Sequence, residues 1–339
     1  MTRRELFATA PFLKALPGWK YEFPRDHFNH PNFRTEWWYY TGNLQSQGRP
    51  FGFELTFFRQ AIQEEAASKS LWSPRDIWMA HLALTDIEDK QFLHAERLNR
   101  SGPGLAGVDE TRQRIWNGNW SCQLTAENHR LQAIDPRFSF TLNLKPAKAP
   151  VTHGTNGVSQ KGPQPGQASH YISFTRLLAS GTLNVGQRQF AVQGSAWMDH
   201  EIFSSELDPN LAGWDWFSIQ FDNNTELMLY RLRLKDGRSS EFSAGTFVDA
   251  NGRAVHLKHD AFRLSPGRKW KDYPVEWRLE VPSLKIDIAA TPRLDNQELL
   301  SPSRLTPSYW EGAMQFQGTH SAVGYLEMTG YDAAIRFQP

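Results

Sequence analysis

The sequence predicts an all-β protein, and three observations carry that prediction. Apolar residues recur mostly with a period of two, turn signals punctuate short runs, and helical patterns are scarce. A chain of 339 residues suits two domains of ordinary size, or one large β-domain with insertions. Aromatic residues make up 13% of it, with 13 Trp, 22 Phe and 9 Tyr, enough for a large core and also for a lined cavity.

In chain order, residues 2–16 carry the first helical pattern. Thr2-Arg3-Arg4 matches the start of a twin-arginine export signal, but Glu5 follows, and Pro11 and Lys14 break the apolar stretch behind it. The simpler reading is a short helix with a Thr2/Glu5 capping box. The compartment stays open, with a soluble protein exported to the periplasm and trimmed of its signal as one alternative. RTEWWYYTG, residues 34–42, starts the strand-like region. Phe51, Phe53, Leu55 and Phe57 then alternate with Gly52, Glu54, Thr56 and Phe58. A second helical pattern is expected over 88–98. Short strand-like runs follow at 138–144, 182–185, 189–192, 227–234, 277–281 and 284–288, with turns at Gln47-Gly48, Asp236-Gly237, Asn251-Gly252 and Ser265-Pro266-Gly267. Residues 145–169, rich in Gly and Pro, read as a surface loop or lid.

A weak internal repeat predicts two similar halves. Residues 37–44, a turn and 53–59 match 214–221, a turn and 227–233, while 181–185 and 192–201 match 312–316 and 323–331. The expected division is an N-terminal extension at 1–20, a first unit at 21–203 and a second at 204–339. The first strands of the two units start at Trp37 and Trp214.

Composition excludes several functions. Lys and Arg (37) nearly cancel Asp and Glu (36), a formal charge of +1, so there is no electrostatic footprint for nucleic acid or an anionic membrane. No apolar run approaches the roughly 20 residues of a membrane helix. A single cysteine, Cys122, excludes an internal disulfide and any multi-cysteine metal site. No G-x-S-x-G nucleophile elbow occurs, and His200-Glu201 lacks the second His of a zincin. Residues 102–107 fit G-x-G-x-x-G without the strand before and helix after that a dinucleotide site needs. His27, His30 and Asp26 in RDHFNHP would bind a metal only with a further ligand from elsewhere, and the expectation is polar loop residues and no metal. His81, within MAHLAL, reads as a hydrogen-bonded core histidine.

The chemistry-bearing segments are AWMDHE (196–201) and GWDWF (213–217), acidic and basic groups set against tryptophans. On a strand, Trp197, Asp199 and Glu201 face one side, and Met198, His200 and Ile202 the other. His200 is then either the polar end of an apolar pocket, available as acid or base, or a structural partner. Asp199 and Glu201 either serve chemistry or tie the unit junction to backbone amides or to Arg59, Arg176 or Arg231. Glu36 and Asp215, each wedged between aromatics, read as structural ion pairs that also border the pocket.

Across residues 21–331 the motif order resembles the AttH-type, carotenoid-hydratase-related family. The motifs are FPRDHFNHPNFRTEWWYYTGNL (23–44), HGTNGVSQKG (153–162), SHYISFTRL (169–177), AWMDHE, GWDWF, YWEGAM (309–314) and GYLEMTGY (324–331). The resemblance implies two tandem lipocalin-like (calycin) antiparallel β-barrels. It also implies relatives that hydrate the terminal double bond of acyclic carotenoids, or that enclose polyenes as pericyclases. The hydratases have a His and a Trp in Asp-His-x-Trp, and a Tyr and an Asp on the following strands. His200 matches that His and Tyr230 that Tyr, whereas Ile202 stands in place of the Trp and LYRLRL offers no Asp.

The leading expectation is a protein that binds a long apolar ligand, a lipid, isoprenoid or polyene, in a barrel or inter-barrel pocket, with a role in lipid or isoprenoid metabolism and no cofactor. The alternatives are a hydratase or cyclase using His200 as acid-base, and a structural duplication with closed barrels. Catalytic candidates are His200, Tyr230 and Asp199; ligand-binding candidates are Glu36, Trp38, Trp197, Trp214 and Asp215. These groups are expected to gather at the junction of the two units.

Overall fold

The computed structural model describes residues 12–62, 75–204, 208–301 and 308–331. Of the expected N-terminal helix, residues 2–11 lie outside this range, and 12–16 form no helix. No helix among the described residues is long and apolar enough to cross a membrane.

Thirteen strands build the first sheet: β1 Thr35–Ser46, β2 Arg49–Ala61, β3 Asp76–Asp86, β4 Gln91–Arg100, β5 Ala106–Asp109, β6 Arg114–Asn117, β7 Trp120–Leu124, β8 His129–Ile134, β9 Phe138–Pro146, β10 Val151–Thr152, β11 Ser159–Gln160, β12 Ala168–Val185 and β13 Arg188–Phe203. A second sheet contains β14 Leu211–Phe221, β15 Glu226–Leu234, β16 Ala244–Val248, β17 Ala254–Lys258, β18 Arg263–Pro266, β21 Trp277–Val281, β22 Ile286–Pro292, β23 Glu298–Leu299, β24 Tyr309–Gly318 and β25 Ala322–Met328. A small ribbon of β19 Lys269–Trp270 and β20 Tyr273–Pro274 lies between β18 and β21 in the chain.

Each sheet curls into a lipocalin-like barrel by one plan. The first strand pairs antiparallel with the second on one side and with the last on the other: β1 with β2 and β13, β14 with β15 and β25. The ladder is interrupted after the fourth strand in both, between β4 and β5 and between β17 and β18. In the first barrel side chains bridge that gap. Asn99 on β4 donates to Asn117 Oδ1 on β6 at 2.6 Å, and Asn117 donates to the Trp78 carbonyl at 3.2 Å.

The apolar residues sort into three main cores. One fills the first barrel with Trp38, Tyr40, Phe53, Phe57, Trp78 and Met198 among others, and one fills the second with Phe217, Ile219, Trp277 and Trp310. The third lies between the barrels: Tyr39, Tyr171, Trp197, Trp216, Tyr230 and Tyr325 come from outward faces of both. Each large side chain buried in these cores contributes about 1.5–3 kcal/mol. The barrels approach so closely that a Cβ at Gly52 would lie 2.8 Å from Ala313 and 2.6 Å from the Tyr325 hydroxyl. Elsewhere the seam is polar. Lys148 (2.7 Å) and Arg176 (2.6 Å) converge on the buried Glu226, and Gln220 donates to the carbonyls of Thr175 and Ala196 at 2.8 and 2.9 Å.

The expected helix at 88–98 is instead an edge strand. Apolar Phe92, Leu93, Ala95 and Leu98 mimic a helical stripe, yet β4 pairs with β3 from Asp86↔Gln91 to Ile77↔Arg100. Lys90, with φ of 54°, turns the chain back, and Leu93 and Ala95 alternate onto the first core. The run expected at 284–288 starts two residues later, because Pro282–Leu284 form a 3-10 turn ending at left-handed Lys285. The lid segment holds two short strands, β10 and β11, that pair with β12.

Candidate functional site

Strand alternation sends the candidate residues to two different places. On β1, Glu36, Trp38 and Tyr40 point into the first barrel, while Trp37 and Tyr39 point out toward the second. On β13, His200 points in, while Trp197, Asp199 and Glu201 point out. On β14, Trp214 and Trp216 face the first barrel, while Asp215 lies with Arg231 and Trp277 of the second. The sequence predicts His200, Glu36 and Trp38 at one site with Asp199, Trp214 and Tyr230; only the last three line a common cavity.

The inner group is an ion-pair network. Glu36 accepts from His30 Nδ1 (2.8 Å), the His30 backbone N–H (2.9 Å), His200 Nε2 (2.8 Å) and Arg59 Nε (3.3 Å). Its burial opposes ionisation, but His30 and His200 outweigh that and hold the carboxyl well below the usual range. Burial likewise opposes charge on His30, yet Glu36 and Asp26 lift it to about 9. His200 is pushed down by burial against the pull of Glu36, and its ring stacks on Trp38 at 4.8 Å. Arg59 also reaches Asp76 at 2.9 Å. The second barrel repeats the motif: Asp215 pairs with Arg231 at 2.7 Å and with Arg233 at 3.3 Å, and accepts from the Tyr331 hydroxyl at 2.8 Å. Glu36–Arg59 and Asp215–Arg231 are cross-strand partners on the first two strands of each barrel.

Among the described residues His30, Glu36 and His200 form a grouping with metal-ligand atoms within 4.8 Å. The fit to a cation is poor. Glu36 is saturated by four donors, and Arg59 together with a charged His30 already neutralises it. His27 takes no part in that grouping; its ring stacks on Phe23 at 4.4 Å.

The outer group walls a cavity of about 100 Å³ between the barrels. Trp37, Tyr39, Phe58, Tyr171 and Phe203 line it from the first barrel; Trp214, Trp216, Tyr230, Leu232 and Tyr309 line it from the second. Its polar groups are Asp199, Glu201, Glu327 and, from the lid segment, Lys161, Gln167 and Ser169. Asp199 accepts from the Tyr171 hydroxyl (2.5 Å), Trp197 Nε1 (2.6 Å) and the Ser173 hydroxyl. Trp216 Nε1 holds the Tyr171 oxygen at 2.9 Å. Behind Ser173 stands His153, 2.7 Å away, with Thr246 at 2.8 Å on its other nitrogen. Burial drops the His153 pKa to about 3, so this imidazole is neutral. Asp199 is fully desolvated, and despite three donors its pKa is pushed up to about 7. Glu327 is similarly raised by burial, to about 8.

Lys161 comes from a loop the sequence marks only by glycines. Its ammonium lies 4.0 Å from the Tyr230 ring centroid and 3.6 Å from Glu201, which also accepts from Ser169. Burial opposes its charge, but Glu201, Tyr230 and Asp199 more than offset this and raise its pKa. The loop reaches inward because Gly154 turns at φ 79°, where a Cβ would sit 1.9 Å from the Val158 oxygen. Tyr230 also bonds Ser159 at 3.0 Å. None of Arg59, Arg176 or Arg231 ties down Asp199 or Glu201; serine, tyrosine, tryptophan and Lys161 do. Lys161, Tyr171 and Glu327 were not singled out from sequence, although all three lie inside the long motifs.

A family model described as AttH-like matches residues 14–331. The chain belongs to the AttH-like family. A crystal structure of an AttH-type protein from Nitrosomonas europaea is 34% identical, with a TM-score of 0.82, covering 95% of this chain and 99% of that one. Kievitone hydratase from Nectria haematococca superposes at 0.68 with 15% identity, covering 95% and 98%. CghA superposes at 0.54 with 11% identity, covering 88% and 89%. The last two are similar in fold. A search of curated proteins gave no match.

Proposed function

We propose that this AttH-like protein binds an apolar ligand of the lipid, isoprenoid or polyene class with its reacting end in the inter-barrel cavity, and transfers a proton to it. Such a step belongs to lipid or isoprenoid metabolism. The observation that carries this reading is Asp199, a buried carboxyl brought to about 7 inside a wall of aromatic rings. A general acid works best with its pKa near the operating pH, and here both protonation states are accessible.

In the proposed reaction the Asp199 O–H gives its proton to one carbon of a double bond. A carbocation forms at the other carbon, facing the rings of Trp37, Trp214 and Trp216. Water then adds and returns a proton to the Asp199 carboxylate; this is hydration. Alternatively a second double bond closes on the cation, and the proton is lost to the same carboxylate; this is cyclisation. Proton transfer is assigned to Asp199 rather than His200, whose Nε2 is engaged by Glu36 inside the first barrel. Tyr230 lines the cavity, with its ring face covered by Lys161. The name of one fold neighbour, a hydratase, favours hydration. We also propose that residues 21–203 and 204–339 are the two structural units, with 1–20 as an extension.

The test is conversion of a panel of acyclic isoprenoids and polyenes, followed by chromatography and mass spectrometry. Native mass spectrometry of the purified protein reports retained ligand. Asp199→Asn is expected to retain ligand and lower turnover by about 100-fold or more. Turnover unchanged in Asp199→Asn refutes the assignment, and retention without conversion by the unaltered protein returns the binding-only reading.

A further inference from the structure

Beside the cavity runs a row of polar side chains that the proposed reaction does not use. Thr56, His81 and Glu96 are successive cross-strand partners on β2, β3 and β4, all on the face turned toward the second barrel. Tyr309, a cavity-lining residue of β24, places its hydroxyl 2.6 Å from His81 Nδ1 and 3.0 Å from Glu54 Oε1. Glu54 also accepts from Thr56 at 2.9 Å, and its other oxygen, fully buried, has no hydrogen-bond partner. On the far side of the ring His81 Nε2 lies 3.4 Å from Glu96, close but not aligned as a hydrogen bond; the Glu96 side chain is 14% exposed and accepts from Ser301 at 2.9 Å.

We propose that Glu96, His81 and Tyr309 form a proton relay between solvent and the buried Glu54 carboxyl, which Tyr309 of the cavity wall hydrogen-bonds. A small turn of the His81 ring or the Glu96 side chain closes the 3.4 Å gap into a hydrogen bond, and a proton then leaves the Glu96 carboxyl for His81 Nε2. The Nδ1 proton of the same ring passes to the Tyr309 oxygen, and the Tyr309 hydroxyl proton passes to Glu54. The balance is one O–H broken at Glu96 and one formed at Glu54, with Tyr309 restored and His81 left as the other tautomer. A return transfer, or rotation of the ring, resets it. The purpose of the route rests on the cavity being a site of proton transfer. Glu54, Glu311, Glu327 and Asp199 act on one another electrostatically at the interface, with Lys161 beside Asp199 and Glu201. Such a group must exchange protons with water to hold a defined protonation state.

The first barrel supplies an internal control. Tyr40 makes a chemically similar contact, 3.1 Å from His129 Nδ1, and the Nε2 of neither His129 nor His81 is hydrogen-bonded. But His81 Nε2 has the partly exposed Glu96 carboxylate 3.4 Å away, whereas fully buried His129 has no carboxylate against its ring among the described residues. That pair leads nowhere.

The experiment reads hydroxyl hydrogen–deuterium exchange from the isotope shift on the tyrosine Cζ carbon, in full-length protein labelled there and without substrate. Tyr309 is expected to exchange about tenfold or more faster than Tyr40. Glu96→Gln, which keeps the hydrogen bonds but cannot carry the proton, is expected to slow Tyr309 by a similar factor and leave Tyr40 unchanged. His81→Phe should do the same where its melting curve shows it folded. Equal rates at Tyr309 and Tyr40, or an unchanged Tyr309 rate in Glu96→Gln, overturn the relay. Since no turnover is measured, that failure leaves the Asp199 assignment standing, and failure of the Asp199 test leaves the relay standing.

Discussion

Asp199→Asn makes a prediction about stability that needs no substrate. In the native protein the Asp199 pKa rises from 3.8 to about 7, chiefly by burial. The folded state therefore binds this proton more tightly than the unfolded chain, and the residue destabilises the fold as pH climbs between those two values. The difference of about three pKa units corresponds to about 4 kcal/mol, fully developed above pH 7 and absent below about 4. Asparagine carries no such penalty at any pH. It does lose hydrogen bonds, because its amide nitrogen must face Tyr171, whose oxygen already accepts from Trp216. That mismatch costs about 1–3 kcal/mol and does not vary with pH. The variant is thus expected to be less stable than the parent in acid and at least as stable in mild alkali. Removing a charge near Glu201 and Glu327 acts in the same sense. Urea unfolding of both proteins at a series of pH values gives the difference curve directly. A curve that is flat, or that falls as pH rises, refutes the reasoning about Asp199 and with it the acid role.

Two further outcomes follow from sites described above. Gly154→Ala places a Cβ 1.9 Å from the Val158 oxygen at positive φ, so a loss of about 1–3 kcal/mol in unfolding free energy is expected, together with weaker ligand retention as Lys161 is displaced; an unchanged melting temperature contradicts it. Glu36→Gln removes one of the two carboxylates that hold His30 at about 9, so the His30 pKa measured by NMR should fall; its stabilisation, complete below pH 6.5 and lost as pH rises through about 9 in the parent, should shrink to what Asp26 alone supplies. The same change leaves Asp76 as the one carboxylate paired with Arg59, beside the His30 and Phe33 carbonyls, and should cost about 3 kcal/mol by urea unfolding at neutral pH, an unaltered midpoint being the contrary result.

The barrels were legible in the sequence because their signals are local. The alternation at 51–58, the Gln47-Gly48 turn and the matching hairpins at 37–59 and 214–233 survive as β1–β2 and β14–β15. The helix expected at 88–98 failed because an edge strand with apolar residues at 92, 93, 95 and 98 imitates a helical stripe, and pairing with β3 is not visible locally. The site was only half legible for a different reason. In TEWWYYTG nearly every residue is buried, one face in a barrel core and the other against the second barrel. Period-two reasoning separates those faces but does not say which is the barrel interior. His200 and Asp199 thus looked like neighbours at one site and are neighbours only along the chain. Lys161 was invisible in practice: a lysine among glycines and prolines is ordinarily solvated, and its burial depends on Tyr230, Tyr171 and Glu201 arriving from three other strands.

The packing of both barrel interiors has a consequence for how such a protein can be retuned. In a single lipocalin-like barrel, enlarging the ligand chamber means hollowing out the same core that holds the fold together. Here the chamber is bounded by the outer walls of two bodies that are each already filled. Its width is set by contacts at the seam, such as Gly52 against Ala313 and Tyr325, or Glu226 between Lys148 and Arg176. Substitutions there tilt or separate the walls, as a shim adjusts the gap of a vice, and leave the jaws untouched. On the proposed reading, the size of molecule the cavity admits can change at the seam without putting either barrel at risk.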